Sequence, residues 1–167
     1  MNILLLSDSH GHPDYIRAAV EVTHPDCILF AGDGLRDVRE VEPELSVPIY
    51  AVRGNCDYGF PAIGYAEEEL LTLSGVRILL AHGHTLGVKH GLGRAIAYAT
   101  QREADVLVFG HTHEVFERYL YPEASSADSC NPRPLLLCNP GSVGMYPHDF
   151  GTLTIRDGQV LFGLGRL

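Results

Sequence analysis

Five short apolar runs, each stopped by aspartate, asparagine or histidine and usually by glycine as well, limit what this chain can become. NILLLS at 2–7 leads into Asp8-Ser9-His10, and DCILFA at 26–31 into Gly32-Asp33. PIYAVR at 48–53 leads into Gly54-Asn55-Cys56-Asp57. VRILLA at 76–81 ends in His82-Gly83-His84, and DVLVF at 105–109 in Gly110-His111-Thr112-His113. Apolar runs of this length between turn formers read as buried strands.

The segments between them supply helices and turns. Pro13 suits a first helical turn, and Ile16, Ala19 and Val20 at i, i+3, i+4 predict a helix over 13–23. A shorter helix is expected from Leu35 to Val41, and Leu92, Ile96 and Ala99 predict one over 89–103. Ser74-Gly75 makes a hairpin of 67–73 and 76–81, and Asp157-Gly158 joins 152–155 to 159–163. EVFERYLY after His113 alternates, as a half-exposed strand does, and 134–138 reads as a further strand. The front half therefore alternates strand and helix, and the back half is mostly antiparallel. The expected class is α/β (α+β), either one mixed sheet or two packed sheets with flanking helices. With 167 residues, a single domain over 1–167 is expected, and 122–134 (PEASSADSCNPRP) reads as an exposed loop insertion within it.

Charge narrows the partners. Twelve basic against 21 acidic residues leave a net charge of −9. Such a surface does not grip long duplex nucleic acid or anionic lipid, though bound cations can still reverse the sign locally for a small anionic substrate. No apolar run approaches the roughly 18 residues of a membrane span, so no membrane partner is expected. MNILLLSDSH carries no basic leader, and Cys27, Cys56, Cys130 and Cys138 form no C-x-x-C pair, so the expected location is cytoplasmic. Cys27 and Cys138 are expected in the core, Cys130 as an exposed thiol, and Cys56 as a small buried side chain near the strand tips. His24, His90 and His148 are expected at the surface, with His148 near enough to Asn139–Gly144 to line a cleft. Arg53 is expected in a surface ion pair.

Ligands bind at the carboxyl ends of strands in open α/β sheets. The residues collected there are Asp8, His10, Asp33, Asn55, His82, His111 and His113. Each alone reads equally as a cap or a satisfied loop residue, and Gly54-Asn55 as an ordinary turn. Together they read as metal ligands. Residues i and i+2 of an extended segment point the same way. Asp8 and His10 can then share an ion, and His111 and His113 can share one or divide between two. Asp33 is placed to bridge two ions. Seven ligands with one bridge give four contacts per metal and leave room for water and substrate, unlike closed, Cys-rich structural zinc sites. Imidazole with carboxylate suits Mn, Fe, Zn, Ni or Co. His84 is placed to orient His82 or His111. A P-loop and a G-x-G-x-x-G are absent, and Pro140-Gly141-Ser142-Val143-Gly144 misses the G-x-S-x-G elbow by one glycine.

The ordered series D-S-H, G-D, G-N-C-D, H-G-H and G-H-T-H resembles the calcineurin-like metallophosphoesterase superfamily. Chain length and the late N-P-G-S (Asn139 to Ser142) are most similar to its small prokaryotic phosphodiesterase branch. The resemblance implies two packed mixed β-sheets flanked by helices, a four-layer αββα sandwich. It implies two divalent metal ions, manganese first and Ni, Zn, Fe or Co as alternatives. Asp8, His10, Asp33 and His113 would hold one, and Asp33, Asn55, His82 and His111 the other. The implied activity is in-line hydrolysis of a small phosphodiester substrate by a metal-bridging hydroxide, with Asp33 and Asn55 among the catalytic residues. Many relatives carry His after the Asn, where this chain has Cys56. That leaves His84, Asp57 and His12 as candidate proton donors to the leaving oxygen. Two other readings belong to the same fold: a phosphomonoesterase, and a protein-binding scaffold with a degraded metal site, as in the retromer subunit. Homo-oligomerisation stays open.

Overall fold

The apolar runs alternate between two interiors, and this alternation sets the layers. A computed structural model describes residues 1–59, 64–121 and 134–167. Its strands are β1 (Asn2–Leu6), β2 (Cys27–Phe30), β3 (Ile49–Ala51), β4 (Glu68–Leu73), β5 (Val76–Ala81), β6 (Val106–Val108), β7 (Val115–Leu120), β8 (Leu135–Pro140), β9 (Asp149–Arg156) and β10 (Gln159–Arg166). Its α-helices are α1 (Pro13–Thr23), α2 (Leu35–Val41) and α3 (Gly93–Gln101). Successive strand residues face opposite sides. Ile3 and Leu5 of β1 therefore point inward, where they meet Leu29, Ile78, Leu80, Val106, Val108, Leu136, Cys138 and Leu153. Leu4 and Leu6 point the other way, onto Ile16 and Ala19 of α1 and Leu35 and Val38 of α2. On the second sheet, Leu79, Leu107 and Leu137 pack beneath Ala95 and Ala99 of α3. The layers run helix, sheet, sheet, helix.

One sheet has the order β10-β9-β1-β2-β3 and the other β4-β5-β6-β8-β7. β1, β2 and β3 are parallel, with β9 antiparallel to both β1 and β10. In the second sheet β5, β6 and β8 are parallel, and β4 and β7 close its edges antiparallel. Both sheets are mixed, and the two-sheet arrangement is the one the chain adopts. Parallel β1–β2–β3 and β5–β6–β8 bring the ends of β1, β2, β3, β5 and β6 to one side of the molecule.

Three expectations need correcting. The back half is antiparallel in β7–β8, β9–β10 and β1–β9 as expected, but not throughout, because β8 returns parallel to β6. The helix expected over 89–103 is shorter: Gly87 and Gly91 both take positive φ and confine Val88–His90 to a separate 3₁₀ turn. β9 begins before residue 152, because its pairing with β10 runs on to Arg166 opposite Asp149. Cys27 and Cys138 lie in the core as expected, and Cys27, Cys56 and Cys138 are free thiols. Cys130 and nearly all of the expected 122–134 insertion lie outside the described residues. Among the described residues no helix is long and apolar enough to cross a membrane.

Candidate metal centre

The strand-tip residues converge, but not through extended backbone. Asp8, His10, Asp33, His111 and His113 all take positive φ, between 48° and 67°. This left-handed conformation costs a non-glycine residue about 1–2 kcal/mol and persists only where the surroundings enforce it. The i, i+2 argument from extended segments therefore does not apply, and sharp turns bring the side chains together instead.

Two groups result. In the first, Asp8 Oδ1 lies 3.1 Å from His113 Nε2 and 3.7 Å from His10 Nε2. The two imidazole Nε2 atoms are 3.3 Å apart. In the second, His82 Nε2 lies 3.3 Å from Asp33 Oδ2 and 3.1 Å from Asn55 Oδ1, and His111 stands in the same group as His82 and Asp33. His111 and His113 thus divide between the groups. A carboxylate oxygen of Asp33 lies within 4.8 Å of ring nitrogens of His82 and His111 on one side, and of His10 on the other. Asp33 stands between the two groups.

The donor set fits divalent ions. Asp8 is fully buried, and its Oδ1 has no hydrogen-bond partner among the described residues, although Oδ2 accepts from Ser7 Oγ at 2.5 Å and from the His111 amide at 3.1 Å. An orphaned buried carboxylate oxygen is costly unless a charge meets it. It faces two ring nitrogens at a spacing suited to a shared ion, since two nitrogens bound at about 2.0–2.1 Å to a tetrahedral ion stand about 3.3 Å apart. His82 Nδ1 donates to the Ala31 carbonyl at 2.7 Å, which orients Nε2 toward two oxygens. Only a proton or a metal cation between them satisfies all three atoms.

Electrostatics point the same way. Burial opposes charge on His82, but its bond to Asp33 and the charges of Asp8 and Asp33 outweigh that and raise its pKa. The Asp8 carboxylate, 3.1 Å from its Nε2, raises His113. Burial, then the neighbouring His82, pushes His111 down to about 4. Burial works against the Asp33 charge too, yet His82 and the Cys56 amide, at 2.7 Å from Oδ1, hold its carboxyl well below the ordinary range.

The scaffold behind these groups explains the strained turns. Asp57, a candidate proton donor from the sequence, has no spare lone pair. Its Oδ2 accepts from the amides of Asp33 at 2.9 Å and Gly54 at 2.8 Å, and its Oδ1 from those of Gly34 and Leu35, both at 3.0 Å. It is a brace that locks the turn after β2 to the turn after β3. Gly54 is glycine for a reason of space, because a Cβ there would collide with Asp33 Oδ1. Three further braces escaped the sequence reading. Asp37 of α2 accepts from Ser9 Oγ at 2.5 Å and from the Gly11 amide at 2.8 Å. Asn139 Nδ2 donates to the Gly110 carbonyl at 2.9 Å and to Thr112 Oγ1 at 3.0 Å. Ser142 Oγ donates to the Asp8 carbonyl at 2.8 Å. The N-P-G-S string was visible as a motif, whereas Asp37 has no pattern that distinguishes it from a surface helix acid.

The remaining expectations divide. Cys56 is exposed and not buried, and it lies with His10 and Asp33 at the mouth of the site. His84 makes no hydrogen bond to His82 or His111. Both its ring nitrogens are buried without a partner among the described residues, its ring is 5.4 Å from that of His82, and burial followed by the His82 charge lowers its pKa. His12 stands at the start of α1 with its ring near Tyr15 and is not among the residues that line the cavity with His10 and Asp33. His24 and His90 are exposed, while His148 is half-buried, stacked on Tyr15 at 3.9 Å. Arg53 pairs with Glu67 at 2.8 Å.

A pair of mixed sheets between helices, with aspartate and histidine gathered where β1, β2, β3, β5 and β6 end, defines a metallophosphoesterase fold. The calcineurin-like phosphoesterase superfamily domain matches residues 1–158, and the chain belongs to that superfamily. It is a metal-dependent phosphoesterase, a hydrolase. The probable metallophosphoesterase YsnB of Bacillus subtilis (strain 168) is 33% identical over 145 residues, which cover 86% of this chain and 75% of that protein. A conserved uncharacterized protein of Streptococcus pneumoniae TIGR4, described as a predicted phosphoesterase, superposes with a TM-score of 0.74 at 22% identity, covering 99% of this chain and 88% of the other. Vps29 from Entamoeba histolytica, complexed with zinc, superposes with a TM-score of 0.66 at 20% identity, covering 99% of each chain. These two likenesses are of fold.

Proposed function

We propose that the chain, as one domain, hydrolyses phosphodiesters at a centre of two divalent ions. Asp8, His10, Asp33 and His113 hold one, and Asp33, Asn55, His82 and His111 hold the other. The observation that carries this reading is the buried, partnerless Asp8 Oδ1 facing two ring nitrogens, beside a second group in which His82 Nε2 faces two oxygens. When bound, such ions supply a water ionised near neutral pH and neutralise charge on the phosphoryl oxygens.

The chain's own residues do the rest. Asp33 keeps its charge through the Cys56 amide and its own place against His82, so it stays a strong donor to both sides. Asn55 is a neutral ligand and leaves its side of the site more electron-poor than a third carboxylate would. The ring nitrogens of His84, buried and without a partner among the described residues, leave it an N–H to donate to a phosphoryl or leaving oxygen, and burial lowers its pKa. Asp57 holds the turns and takes no proton-transfer role. Manganese leads among the metals, and the zinc in the Vps29 neighbour keeps zinc as the next choice. The free thiols of Cys27, Cys56 and Cys138 are consistent with a reducing, cytoplasmic location.

The test strips metal with a chelator and follows a bis-aryl phosphate diester and the matching aryl monoester before and after Mn²⁺ is restored. Diester turnover should vanish with the metal and return with it. Undiminished turnover without metal sinks the mechanism. Faster monoester turnover makes the enzyme a phosphomonoesterase, and bound metal with no turnover on either ester makes the chain a scaffold.

A further inference from the structure

Beside the metal-ligand groups lies a cavity of about 540 Å³, walled by His10, Asp33 and Cys56 and also by Arg36 and Tyr58. Tyr58 is 63% exposed, an unusual setting for a large ring at the mouth of a catalytic site. The ring is nevertheless held in place. The Arg53 guanidinium lies 5.4 Å from its centroid, and Arg53 is itself fixed by Glu67 at 2.8 Å. The Tyr58 hydroxyl donates to the same Glu67 carboxylate at 3.4 Å. The edge of the His84 ring meets Tyr58 at 6.5 Å and 87°. One residue earlier, the four hydrogen bonds accepted by Asp57 lock the turn that carries it. The site thus presents a flat, pre-oriented aromatic surface next to its metal-ligand groups, which lowers the ordering cost of binding.

A held aromatic ring recognises a planar ring system by stacking. The planar rings that phosphodiesters carry are nucleobases, and the cavity is within the roughly 300–1,000 Å³ range of small-molecule sites. We propose that the substrate is a nucleotide-type diester whose base stacks on Tyr58, on the wall of the cavity that His10 and Asp33 also line. The inference rests on the phosphodiesterase reading above and adds the substrate class.

The test compares adenosine 5′-monophosphate with ribose 5-phosphate, which differ by the base alone, as ligands of the Mn²⁺-loaded protein in calorimetric titration. The wild type should bind the nucleotide about 5- to 150-fold more tightly, the range that base stacking provides. Tyr58→Leu should erase that ratio and leave ribose 5-phosphate affinity unchanged, while Tyr58→Phe and Tyr58→Trp keep it. Equal affinities in the wild type, binding of neither ligand, or a ratio that survives Tyr58→Leu would each overturn the proposal. Because the readout is binding, it is separate from diester turnover. A nucleotide preference in a protein that fails to cleave diesters would strike the activity and spare the base site.

Discussion

Replacing Asp57 with asparagine separates a brace from a catalyst. The substitution keeps the shape of the side chain and turns one acceptor oxygen into an amide donor. Two of the four backbone amides that Asp57 now satisfies would then face a donor, at positions observed between 2.8 and 3.0 Å. The residue is 6% exposed, so water cannot readily take over. A hydrogen bond to a charged group contributes about 1.5–3 kcal/mol, so losing two destabilises the fold by at least about 3 kcal/mol. For a chain of this size that lowers Tm by about 6–12 °C. Scanning calorimetry of the metal-free protein measures it directly, before metal binding adds its own stabilisation. Metal affinity should fall with it, because the same carboxylate holds the Asp33 and Gly54 amides in place. A variant that melts with the wild type, binds metal normally and yet loses turnover would show Asp57 to be a proton donor and refute the reasoning.

Gly54→Ala places a methyl group against Asp33 Oδ1, so metal affinity should drop about tenfold or more, at a stability cost of about 1–3 kcal/mol, read by metal titration and denaturant melting. The pKa values of His82 and His113 are raised in the metal-free protein, so both must release protons as metal enters. Metal affinity should therefore weaken as the pH falls through those raised values, and an affinity unchanged between neutral and acid pH would contradict imidazole coordination. Asp8→Asn removes the charge that faces His10 and His113, and it should reduce bound metal to about one ion per chain, the one held around Asp33 and His82.

Much of this arrangement was legible because strand termination and ligand placement coincide. Asp8 and His82 end apolar runs yet are fully buried, and a buried ionisable group persists only where partners or a ligand meet it, so the end of each run marks both the strand tip and the site. Sheet membership was less legible. Nothing local to LLLCNP tells β8 to return parallel to β6, since that pairing depends on a crossover through residues far away. The left-handed turns at Asp8, His10 and Asp33 were equally hidden, because Asp37, Asp57 and Ser142 brace them from other parts of the chain. Asp57 shows the limit most plainly. In the sequence it is one more acid in a catalytic string, and only the four amides around it make it structural.

The most direct measurement is the number of metal ions per chain, by elemental analysis after saturation with Mn²⁺ and removal of free ion, in the wild type and in Asp33→Asn. Two ions in the wild type and fewer than one in the variant is the predicted result, because both groups lean on the Asp33 carboxylate. A wild type that retains none, or a variant that still holds both, would contradict the proposal that Asp33 joins two cations in one centre.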